Sequence, residues 1–93
     1  MLEISRMLTI SICHITKETA ERLTFGEPYN RDLPPYFPKA EYGWFIFTGS
    51  EYEFPEAPAD LKSCMNKAWE QKCDWLCLDC DGLEVDDLPT YDW

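Results

Sequence analysis

Residues 73–86 read CDWLCLDCDGLEVD, and several readings compete for them. Cys73, Cys77 and Cys80 lie close together, and the last two are spaced as C-x-x-C. Overlaid on them is an apolar run that ends in Asp79-Cys80-Asp81-Gly82. The stretch is a metal site, a redox pair, a nucleophile loop or a buried strand that turns a corner. The pattern favours the strand. Residues 74–80 alternate about a dense apolar run, and Asp81-Gly82 is a type I′ hairpin signal, so "LEV" is expected to begin a returning strand. In a strand, an offset of three places Cys77 and Cys80 on opposite faces, which a tight metal knuckle does not allow.

Working outward, residues 58–72 give the clearest helix. Pro58 suits its first turn, Asp60 suits the helix dipole, and Leu61, Cys64, Met65, Ala68 and Trp69 form one apolar stripe. Residues 41–48 (EYGWFIFT) read as a central strand, because both faces are apolar. Residues 7–15 (MLTISICHI) are rich in β-branched residues and read as another strand. Thr16 is a plausible N-cap for a helix over KETAERLTF, which Gly26 stops. Residues 27–39 contain four prolines and are expected to lack regular structure. The segment GSEYEFPEAP reads as a loop. The expected fold is one α+β domain over residues 1–93: a two-layer sandwich, with a largely antiparallel sheet of three to four strands and two helices on one face.

The bulk numbers agree with one small core. Ninety-three residues with 45% hydrophobic content suffice for it. No apolar run approaches the ~20 residues that span a bilayer, and the N-terminus does not read as a signal peptide. A cytoplasmic chain is expected, with its five cysteines as thiols. The charge is uneven. Residues 1–39 balance, so the net −10 lies wholly in residues 40–93, and no base follows Lys72. Such a surface repels nucleic acid and anionic membranes and attracts basic surfaces.

Each chemistry then has a bland counterpart. Zinc needs four ligands from Cys13, His14, Cys64, Cys73, Cys77 and Cys80, but no second C-x-x-C exists, and Cys64 sits on the apolar helix stripe. A redox C-x-x-C opens a helix, whereas this one runs into carboxylates that raise a thiol pKa. WLCLDCDG resembles the nucleophile loop of haloacid-dehalogenase-like phosphatases, in which Asp79 would attack and Asp81 would serve as general acid. Only thirteen residues follow Cys80, too few for that family's lysine and further acids, so a strand end and a turn are the simpler reading. His14 reads as a satisfied structural histidine, and Tyr42, Trp44, Phe45 and Phe47 as core.

CHIT (13–16), EYGWF (41–45), PADLKSCMNKA (58–68), CDWLCLDCDG (73–82) and DDLPTYDW (86–93) together resemble a family of small uncharacterised proteins of conjugative plasmids, integrated elements and phages. The resemblance implies no catalytic residue and no cofactor; it implies an accessory protein of a mobile element. In that setting, small acidic proteins imitate DNA, as some anti-CRISPR proteins do. The expectation is therefore a non-enzymatic inhibitor, a monomer or weak dimer. It would bind a basic, nucleic-acid-binding host protein such as a type I CRISPR surveillance complex through Glu51, Glu53, Asp81, Glu84, Asp86 and Asp87. The alternatives are a zinc-stabilised structural module and a small metal-dependent hydrolase using Asp79 and Asp81.

Overall fold

The computed structural model describes residues 2–25, 33–49 and 54–93. Strand β1 (Met7–Ser11) leads through a 3-10 turn (Ile12–His14) to helix α1 (Lys17–Phe25). Strands β2 (Tyr36–Lys39) and β3 (Gly43–Phe47) form a hairpin, helix α2 (Ala59–Glu70) follows, and strand β4 is Trp75–Asp79. The sheet order is β1-β4-β3-β2. The α+β sandwich is as expected, and two of its three strand pairings are antiparallel. The third is not: β1 runs parallel to β4, with Leu8 opposite Leu76 and Ile10 opposite Leu78. The sheet is therefore mixed.

Alternation along β4 sorts the two faces. Leu76 and Leu78 are fully buried and join Ile10, Ile46, Leu61, Cys64, Met65, Ala68, Ala20 and Leu23 in one core between sheet and helices. Trp75, Cys77 and Asp79 point to the opposite face, opposite Phe47, Phe45 and Gly43 of β3 and Met7, Thr9 and Ser11 of β1. Among the described residues no second layer covers this face. Met7, Phe37 and Phe47 are exposed there, and Phe47 meets Trp75 edge to face at 5.3 Å.

The helices form where their caps and stripes place them. The Thr16 hydroxyl accepts the Thr19 N–H at 3.2 Å, which caps α1. Asp60, in the first turn of α2, reaches across to the same point: its carboxylate accepts the Thr16 N–H at 2.7 Å and the Thr19 hydroxyl at 2.9 Å. One acid thus serves the N-termini of both helices. On α2, Leu61, Cys64, Met65 and Ala68 are fully buried. Trp69 departs from the expected stripe: it is half-buried and its indole N–H donates to the Gly49 carbonyl at 3.1 Å.

Three expectations about the chain's path are corrected. Residues 36–39 are a strand despite Pro38, because β2 is an edge and proline's missing N–H leaves no ladder bond unmade there. The first strand ends at Ser11, and residues 12–14 tighten into the 3-10 turn. No strand returns after Asp81-Gly82. Both edges of β4 are already taken by β1 and β3, so a returning strand has nothing to pair with. Instead the chain crosses the end of β1, where Leu83 makes one parallel bridge to Ile10. Gly82 is needed at that crossing, since a Cβ there would lie 2.4 Å from the Ile10 carbonyl. The expected helix stop at Gly26 lies outside the described residues.

Candidate functional site

The acidic segment after β4 has little regular structure, yet it is held at many points to residues 11–15. The Leu83 carbonyl accepts the Ser11 N–H at 2.9 Å. Val85 N–H donates to His14 Nε2 at 2.8 Å, and His14 Nδ1 donates to the Pro89 carbonyl at 2.8 Å. Tyr91 N–H donates to the Cys13 carbonyl at 2.8 Å, and the Trp93 indole N–H to the Ile15 carbonyl at 2.9 Å. His14 is buried and satisfied at both nitrogens, which fixes its tautomer. It is a structural histidine, and what it structures is the acidic segment.

Along that segment Asp81, Glu84, Asp86 and Asp87 are all exposed. They do not carry equal charge outward. The Lys67 ammonium pairs with Asp87, and this contact holds the Asp87 carboxyl below the usual carboxylate range. Glu84 accepts a weak bond from the Cys13 thiol at 3.5 Å. Asp81 and Asp86 have no described side-chain partner. Glu51 and Glu53, the other expected contact residues, lie outside the described residues.

Asp79 is different in kind. It is buried, and both its oxygens serve the fold. One accepts the Asp81 N–H at 2.8 Å, closing a turn in which Gly82 N–H reaches the Asp79 carbonyl at 3.0 Å. The other pairs with the Lys39 ammonium, which, with the Asp81 N–H second, lowers the Asp79 pKa. The ligand atoms of Asp79, Cys80 and Asp81 lie within 4.8 Å of one another, the only such metal-capable group among the described residues. A metal there would have to share Asp79 with Lys39 and with the turn.

The thiols are separated by their surroundings. All five are free. Burial pushes the Cys64 thiol up to about 12, with Asp60 nearby adding to it. Burial also raises Cys77, though Lys39 works against it. Cys80 is exposed, and its thiol is raised by partial desolvation and then by Asp81 and Asp79. A raised thiol is the opposite of what an activated nucleophile at Cys64, Cys77 or Cys80 needs.

A concave feature lies beside the β2–β3 hairpin. It is a groove of about 640 Å³ between that hairpin and the end of α1, walled by Tyr36, Tyr42, Trp44 and Trp93. Tyr42 and Trp44, both expected in the core, are only partly there: Trp44 is half-buried, and Tyr42 is 48% exposed.

A small α+β domain with a pinned acidic segment is thus the class that fold and site define. The model of the Family of unknown function (DUF5983) C-terminal domain matches residues 7–93, and the chain belongs to that family. No curated protein and no solved structure matches it. No helix among the described residues is long and apolar enough to cross a membrane.

Proposed function

We propose that this chain is a non-enzymatic inhibitor, carried by a mobile element and acting in the cytoplasm, that occupies the nucleic-acid-binding surface of a basic host protein. A type I CRISPR surveillance complex is the first target to test. The observation that carries the reading is the anchoring of the acidic segment. A mimic of duplex DNA must present carboxylates at fixed spacing, because a floppy acidic tail loses its ordering entropy on binding. Here Asp79 holds Asp81, Ser11 holds Leu83, and His14 holds Val85 and Pro89, which fixes the backbone that bears Asp81, Glu84 and Asp86. The absence of any base after Lys72 leaves that field uncancelled from within the segment.

The test is capture of the purified surveillance complex by the immobilised chain, titrated with salt and with duplex DNA. Binding should fall as salt rises and should be competed by DNA. The triple variant Asp81→Asn, Glu84→Asn, Asp86→Asn should bind at least about tenfold more weakly, at roughly half a kcal/mol per screened charge. Capture that ignores salt, DNA and the triple variant would remove the reading. The cluster of Asp79, Cys80 and Asp81 supports one rival, a metal-dependent hydrolase. Magnesium-dependent phosphate release that Asp79→Asn abolishes would put that rival first.

A further inference from the structure

The aromatic groove beside the β2–β3 hairpin is not used by the acidic segment's charge. Its construction is nonetheless definite. The hairpin rim is fixed by Tyr42 N–H donating to the Lys39 carbonyl at 2.9 Å and Cys80 N–H to the Tyr42 carbonyl at 2.8 Å. Gly43 lies so close to β4 that a Cβ would sit 1.7 Å from the Leu78 carbonyl, which locks the hairpin against the central strand. On the far wall, Trp93 is 52% exposed, yet its indole N–H is already engaged by Ile15. What the ring offers a ligand is its π surface. Tyr42 is likewise large, aromatic and exposed.

The charge of the lining points one way. Among the described residues that line the groove, Glu41 is the only charged one. Lys39, next to the rim, is turned to the opposite face of the sheet and neutralised there by Asp79. Aromatic faces attract cations, guanidinium groups above all, and a carboxylate at the edge adds a hydrogen-bonding partner. The net charge of −10 further disfavours an anion. The volume exceeds what one small ammonium ion fills and lies within the range of ligand-sized sites, so a side chain with some flanking backbone fits better.

We propose that this groove receives an arginine side chain of a partner polypeptide, its guanidinium held against Tyr42, Trp44 and Trp93 and bonded by Glu41. The proposal rests on the reading that the chain binds a basic protein, and it adds a second, aromatic contact beside the purely electrostatic one.

The probe is acetyl-Gly-Arg-Gly-amide, with the citrulline peptide as its uncharged near-isostere, followed by tryptophan fluorescence and by amide shifts. The arginine peptide should give a saturable change with a Kd of about a millimolar, and citrulline should bind about five- to thirtyfold more weakly. Tyr42→Ala and Glu41→Gln, both at exposed positions, should each weaken the arginine peptide severalfold while the folded spectrum is kept. The triple variant Asp81→Asn, Glu84→Asn, Asp86→Asn should leave it nearly unchanged. Equal binding of the two peptides, no response at tens of millimolar, or a response lost in the triple variant and kept in the groove variants overturns the proposal. Peptide binding by a chain that captures no basic complex upholds the groove's chemistry and removes the inhibitor reading instead.

Discussion

His14 accepts the backbone N–H of Val85 at Nε2, 2.8 Å away, while its Nδ1 donates to Pro89. A single buried ring in the turn after β1 therefore holds the segment that displays the acids at two points, on either side of Asp86 and Asp87. His14→Phe keeps an aromatic ring and removes both bonds. It should cost about 1–3 kcal/mol, since two part-buried hydrogen bonds are lost and water recovers some of each. Urea unfolding measures the loss. Hydrogen exchange should show Val85 losing protection before the β4 amides do, and a uniform loss would mean that the ring supports the whole fold rather than the segment.

Asp79 gives the protein an acid-side dependence whose sign is fixed by its pairing. Lys39 and the Asp81 N–H lower its pKa below the ordinary 3.8. Its contribution is therefore complete above the ordinary carboxylate value and is lost as pH falls through the lowered folded value. Asp79→Asn keeps an oxygen for the Asp81 N–H but ends the ion pair. Wild type should be more stable than the variant at neutral pH, and the two unfolding curves should converge below about pH 3.8. Curves that stay parallel into strong acid would show that the pair adds nothing.

Gly43 is the least replaceable residue of the hairpin. Its φ is 154° and the space for a Cβ is filled by the backbone of Leu78 and Asp79. Gly43→Ala should cost about 3 kcal/mol or more, because backbone rather than a flexible side chain must move. Thermal melts would record it as a fall of well over 10 °C for a chain of this size. Met65→Ala, which only empties core space, should cost about 2–5 kcal/mol.

The acids should not be interchangeable in binding. Asp87 is already paired with Lys67, whereas Asp86 has no described side-chain partner. Asp87→Asn should leave capture of a basic complex close to wild type, and Asp86→Asn should weaken it about twofold or more. The reverse order would mean that Lys67 and Asp87 separate on binding.

Much of this fold was legible because periodicity speaks plainly where one face is buried. The α2 stripe of Leu61, Cys64, Met65 and Ala68 and the apolar run of β4 lie where their spacing put them. Strand direction was not legible. Most of the chain lies between β1 and β4, and nothing local in MLTIS tells parallel from antiparallel. The β2 strand was hidden by its prolines, since their veto is absolute only at interior strands. The path after Gly82 was hidden because a hairpin signal states a local preference, while the occupancy of β4's edges is a property of the whole sheet. Asp60 was visible as a dipole partner of α2, but its bonds to Thr16 and Thr19 join two helices far apart in sequence. Of the site, the acids were legible by counting. Their anchoring by His14 was not, because a lone histidine carries no sign of which backbone it will meet.

The parallel pairing of β1 with β4 also sets an order of events in synthesis. β4, which lies between β1 and β3, is the last of the four strands to be synthesised, and β1, the first of the four, has no described edge to join until it emerges. Contacts of such long sequence separation slow folding, because chain closure precedes any reward. Until Trp75–Asp79 emerges, the nascent chain exposes the unpaired edges of both β1 and β3, which makes this interval its period of greatest risk for aggregation.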